Sequence, residues 1–245
     1  MRNVLIAGLA LLLAGCATGF NRQAIEQRLA DQPIEVTDAD IQAVLNRKAQ
    51  LRFPIKVAVH LVAETYYPRY GGGPFDPDMR FAPDWRWTTA DRERIAQWAE
   101  PLREAGVVAD IYVMSEMVAT GDDLKSIRLA AAKHGADVVL LVKGVSQLDS
   151  YVNAASVFNL LILPGYVVPA SHRDVLLLLR GGMWDVGNEC LYLSVDADGE
   201  AKTTGPTFLI KDEDARDAAK LAALDNFGAE LRKRLLALKG ETPVK

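Results

Sequence analysis

Thiols and imidazoles are scarce. The chain of 245 residues holds two cysteines, Cys16 and Cys190, and three histidines, His60, His134 and His172. That scarcity excludes a disulfide framework and any zinc site built on several cysteines. No HxxxH, HxH or Cys-His spacing occurs either, so the ligand pattern of a zinc or non-haem iron centre is missing and no cofactor is expected. Long apolar runs are lacking as well. Those at residues 4–13 and 157–163 are too short to cross a bilayer as helices. Basic excess is the third absence: 28 Lys and Arg stand against 32 Asp and Glu, a formal charge of −4. This balance argues against nucleic acid as a partner and against a polybasic grip on anionic lipid.

What is present begins at the N-terminus. One cation, Arg2, precedes the apolar residues 4–13, and small residues lead to a cysteine in Leu13-Ala14-Gly15-Cys16. The layout of charge, apolar run and small residues is that of a signal peptide. Leu-Ala-Gly-Cys resembles the bacterial lipobox, which implies cleavage before Cys16 and acylation of its thiol and new amine. Each buried lipid CH₂ contributes about 0.8 kcal/mol, so two or three acyl chains would hold the chain on a lipid bilayer. Ala17 follows, where Asp would resemble an inner-membrane retention signal, and this favours the outer membrane. The expected organisation is a signal peptide over residues 1–15, a lipidated anchor and helical arm over 16–50, and a single periplasmic α/β domain over 51–240. Loss of Arg2 leaves 27 cations against 32 acids in the mature chain, a formal charge of −5.

Along the mature chain, Thr37 and Asp38 can cap a helix running to about Gln50. Pro54 then stops helix, and residues 55–62 alternate as a strand with one dry and one mixed face. A helix opening at Thr88-Thr89-Ala90-Asp91 and ending near Gly106 places Ile95, Trp98, Ala99 and Leu102 on one stripe. Strand residues 107–114 follow, then a helix from Asp122 or Asp123 with Leu124, Ile127 and Ala131 inward. Gly135 ends that helix, and residues 136–142 form a strand covered on both faces. Residues 175–186 and 189–195 read as strands joined by a tight Gly187-Asn188 hairpin, and Asp196-Ala197-Asp198-Gly199 reads as a further turn. A helix over residues 212–238 carries the stripe Leu224, Phe227, Leu231, Leu235 and Leu238. Cys190 is expected as a small buried hydrophobe on its strand.

The predicted fold class is α/β: a mixed sheet, βαβαβ followed by an antiparallel hairpin, with packed helices and a long C-terminal helix. That element order resembles the periplasmic domains of the curli-secretion lipoprotein CsgG, the penicillin-binding-protein activator LpoB and the N-terminal domain of TolB. Leu163-Pro164-Gly165-Tyr166-Val167-Val168-Pro169, followed by a strand ending Trp184-Asp185-Val186, is similar to the uncharacterised rhombotarget lipoproteins. The resemblance implies a fold and transfers no catalytic residue.

Chemistry is sparse. Ser171-His172-Arg173-Asp174 holds hydrolase residue types, but sequence neighbours cannot orient one another as nucleophile, base and orienter. An enzyme would draw on the carboxyl ends of the parallel strands, at Glu64, Ser115, Glu116, Ser146 and Asp149. Gly71-Gly72-Gly73 lacks the Lys and Ser/Thr of a phosphate loop, and Asp196-Ala197-Asp198-Gly199-Glu200 lacks the later ligands of a calcium loop. The distinctive stretch is residues 64–88, which hold seven of the chain's 18 aromatics, among them Tyr66, Tyr67, Tyr70, Trp85 and Trp87, with four prolines and three arginines. Tyr, Trp and Arg dominate binding hot spots, so this loop is either a partner surface or a lid folded back over a sheet edge. Phe158 and Leu161, within residues 157–163, are a second candidate, as buried helix, interface or membrane patch. The expected function is a non-enzymatic, membrane-anchored lipoprotein that binds an envelope protein. The alternatives are a subunit of a CsgG-like secretion oligomer and a small-molecule hydrolase.

Overall fold

A computed structural model describes residues 23, 38–62, 86–115, 118, 121, 123–152, 171–205 and 212–241. In chain order these form α1 (Asp38–Leu45), β1 (Ile55–Val62), α2 (Thr89–Ala96), α3 (Ala99–Glu104), β2 (Val108–Val113), α4 (Leu124–Lys133), β3 (Val138–Val152), β4 (Ser171–Asp185), β5 (Leu191–Gly205) and α5 (Asp212–Glu241). The architecture is α/β, one mixed five-stranded sheet in the order β2-β1-β3-β4-β5. β1 pairs in parallel with β2 and β3, and β3, β4 and β5 run antiparallel.

The helices cover the two faces unequally. On one face α2, α3 and α5 pack over Ile55, Val57, Val59 and Leu61 of β1 and Val138, Leu140 and Val142 of β3. The α5 stripe of Leu224, Phe227, Leu231 and Leu235 is buried there, with the Phe227 ring stacked on Trp98 at 5.5 Å. On the other face α4 sets Ile127, Ala130 and Ala131 against Ala58 and Val139. β1 lies between β2 and β3 and has one dry and one mixed face, as expected: on the second face Ala58 and His60 are buried, Val62 is half-buried and Lys56 is exposed. Asp123 caps α4 by accepting from the Ser126 amide, and Gly135 follows at φ +68, where a side chain would be strained.

Several expected boundaries move. α1 stops at Leu45 instead of Gln50, because residues 47–50 are drawn into contacts with the β4–β5 connection. The helix opening at Thr88 divides in two at Gln97 and Trp98. Pro101 has no amide hydrogen to continue the first segment and sits in the opening turn of the second, where none is needed. β3 runs ten residues past Val142, and β4 and β5 match its length, since antiparallel pairing carries the polar residues Ser146, Gln147 and Asp149 along with the apolar ones. The β4–β5 link is not a two-residue hairpin. It spans residues 186–190, and the residue with positive φ is Glu189, at 63°, instead of Gly187 or Asn188. Cys190 accordingly lies in this connection, half-buried and unpaired with any cysteine, and not within the strand. Residues 196–199 are no turn either. They lie inside β5, and Gly199 is where the backbone of α5 crosses so closely that a Cβ would collide with Ala219 and Ala223.

Candidate functional site

The sheet has two unlike ends. At the end where β1 begins, Asp185 closes β4 with its carboxylate buried. Its Oδ1 accepts from the amides of Gly187 at 2.7 Å and Asn188 at 2.9 Å, while Oδ2 accepts from the Tyr192 hydroxyl at 2.6 Å. Asn188 repeats the device, its Oδ1 accepting from the Cys190 amide. Arg128 of α4 reaches over to donate to the carbonyls of Asp185 and Val186 and pairs with Glu189. The helical arm docks on this platform. Arg47 donates to the Glu189 carbonyl at 3.0 Å and to its Oε2 at 3.1 Å, the Asn188 side chain donates to the Lys48 carbonyl at 2.7 Å, and the Gln50 amide donates to the Tyr192 hydroxyl at 3.0 Å. Burial and the adjoining Asp185 carboxylate push the Tyr192 phenol well above its ordinary pKa of 10. It stays protonated and spends its hydrogen on Asp185.

At the other end, Val62 and Trp87 flank residues 63–85. The Trp87 indole donates to the Val62 carbonyl at 3.2 Å, drawing the two flanks together, and the half-buried ring packs against the main core. Just beyond it, Asp91 closes a capping box with Thr88 and meets Lys220 of α5 at 2.9 Å, both side chains being buried. Of the residues expected to carry function, Cys16, Tyr66, Tyr67, Tyr70, Trp85, Phe158 and Leu161 lie outside the described residues, as do Glu64, Glu116 and residues 71–73. Ser146 and Asp149 are not strand ends. They lie within β3, opposite Leu177 and Asp174, and only Ser115 follows a parallel strand end as expected. His172 is on β4 opposite Tyr151 instead of in a loop, His60 is buried on β1, and the His134 ring sits 5.3 Å from that of Tyr112 at the end of α4. The three histidines are thus on separate elements.

No protein-family model matches the sequence, and no curated protein matches it. Solved structures do align with it. The hypothetical protein CT253 from Chlamydia trachomatis aligns at 10% identity over 74% of this chain and 98% of its own, with a TM-score of 0.36. The PelC dodecamer from Paraburkholderia phytofirmans aligns at 16% identity over 74% and 86%, with a TM-score of 0.31. Lipoprotein GNA1162 from Neisseria meningitidis aligns at 13% identity over 77% and 100%, with a TM-score of 0.28. Superpositions this loose establish neither a shared function nor a shared assembly.

The two ends differ in what they can do chemically. The polar groups named around Asp185 are hydrogen-bonded to one another within the protein, and this cluster holds the arm. Among the described residues no three His, Cys, Asp or Glu side chains gather as metal ligands, and no helix is long and apolar enough to cross a membrane. Sequence reading missed Arg47, Arg128, Asp185, Glu189 and Tyr192. Asp185 and Asn188 carried a local signal as turn-forming side chains. The contact of Arg47 with Glu189 spans 142 residues and carried none.

Proposed function

We propose that this protein is a membrane-anchored extracytoplasmic lipoprotein, held through acylated Cys16, that binds another protein of the bacterial cell envelope without catalysing a reaction. The observation that supports this reading is the separation of the two ends. The arm leading from Cys16 is fastened beside Asp185, whereas the flanks of the aromatic loop meet at Val62 and Trp87, past the far end of β1. The fifteen residues of β3 extend in the same direction for about 45 Å. A tether at one end leaves the other directed away from its own membrane, where Tyr66, Tyr67, Tyr70, Trp85 and Trp87 would meet a partner. The Ala at position 17 favours the outer membrane as the site of attachment.

Two measurements test it. Metabolic labelling with a fatty-acid analogue should mark the native chain and not Cys16→Ser, and label retained by the variant overturns the lipoprotein reading. Photo-crosslinking in intact cells from position 67 or 85 should capture one discrete envelope protein, while the same crosslinker at the exposed Lys202 of β5 should not. Equal capture from all three positions overturns the loop as the partner surface.

A further inference from the structure

α1 is a helix whose apolar side chains are left exposed. None of its eight residues is buried, and Ile41, Val44 and Leu45 are 48%, 56% and 68% exposed. Their i, i+3, i+4 spacing puts all three on one stripe. A helix this short is marginal in water by itself, so its stripe calls for a surface to rest on. Its C-terminal end is held while its stripe stays exposed, because Arg47, two residues after Leu45, is bonded to Glu189.

Among the described residues the same end collects most of the exposed large apolar side chains. Among the described residues seven large hydrophobic side chains are exposed, and five of them are Ile41, Val44 and Leu45 of α1, Leu129, next to Arg128, and Leu191, two residues after Glu189. Exposed cations stand at this end too: Lys48 on the arm, Lys56 at the start of β1, and Lys133 at the end of α4. Asp38 and Asp40 flank the apolar stripe in the first turn of α1, which limits it to shallow insertion.

We infer that this end of the domain lies on the lipid bilayer, with the α1 stripe seated in the headgroup and upper acyl region and Lys48, Lys56 and Lys133 facing lipid phosphates. The occupant follows from the chain itself, since residues 16–37 lead from the acylation site directly into α1. That argument rests on the lipoprotein reading, but the surface has its own affinity for lipid and is testable without the acyl chains. The consequence is an orientation: the domain stands on its membrane instead of swinging from it.

The experiment uses the mature chain carrying Cys16→Ser, which cannot be acylated, floated with an excess of phosphatidylethanolamine and phosphatidylglycerol vesicles. A fraction of the protein should rise with the vesicles, and Ile41→Asn with Leu45→Asn should lower that fraction about tenfold. Because α1 buries nothing, the double variant should melt with the parent. No flotation of the unacylated chain, or equal flotation of the variant, overturns the inference. So does a dimer in sedimentation that the double variant dissociates, since a second copy would then cover the stripe. The mass of the Cys16 peptide from cell membranes reads the anchor separately. Flotation without acylation in cells upholds the docking and overturns the lipoprotein reading, and acylation without flotation does the reverse.

Discussion

The arm-bearing end and the loop-bearing end of the sheet are fastened by opposite means. Around Asp185 and Glu189 the attachment is distributed: side chains from the arm, α4, the β4–β5 connection and β5 share many half-exposed hydrogen bonds, and no single one carries the whole. Near Trp87 it is concentrated in one buried pair, Asp91 with Lys220, which joins the start of α2 to α5. A distributed polar network tolerates loss because water can replace each contact in turn. A buried pair tolerates less, because removal of Asp91 leaves the buried Lys220 ammonium with the Arg86 carbonyl at 3.4 Å and the exposed Asp217 at 3.6 Å in place of a close, buried counterion. One end can therefore yield by degrees, whereas the other holds until it fails.

The largest expected effect is accordingly at the loop end. Asp91→Ala should destabilise the protein by about 3–4 kcal/mol in chemical denaturation, since the buried Lys220 is left with the longer contact to the exposed Asp217 and α2 loses its capping box. Adding Lys220→Met should recover most of that loss, and a pair of equal deficits would show that the cap alone mattered. At the arm end Tyr192→Phe should cost less, about 1–3 kcal/mol, as Asp185 loses a donor and the Gln50 amide its acceptor. The phenol also gives this end a pH dependence. Its folded pKa lies above the unfolded value of 10, so its contribution is full below that value and declines as the pH rises through it and beyond. Tyr192→Phe should flatten the alkaline side of the stability profile. The smallest effect is expected for Arg47→Ala, whose pair with Glu189 is about a third exposed: under about 1 kcal/mol globally. Its signature is local, a faster amide exchange at residues 47–52 with melting unchanged, and slower exchange there would contradict the docking of the arm.

Much of the fold was legible because its elements obey one period each. The stripe of α5, the apolar run of β3 at Val138 and the caps at Thr88 and Asp123 follow from local sequence and came out where expected. What local pattern could not show was distant pairing. β3 extends through Ser146 and Asp149 because β4 supplies hydrogen bonds opposite them, and Gly199 resembles a turn residue when its role is to let α5 cross the sheet. The site divides in the same way. The aromatic density of residues 64–88 is visible in the sequence, and of its five named candidates only Trp87 falls within the described residues. The platform around Asp185 depends on residues far apart in the chain, and composition does not display it.

The central place of β1 has a mechanical consequence. A pull on the arm enters β1 at Ile55, while a partner held by residues 63–85 would pull from Val62, so the opposing forces run along the strand. β1 is laced to β2 on one side and to β3 on the other, with both ladders lying across that direction. Bonds loaded in shear must give way together instead of unzipping one by one, and survival under force is governed by the rate of unfolding. A protein strung between a lipid anchor and a partner would thus bear tension on its most protected strand.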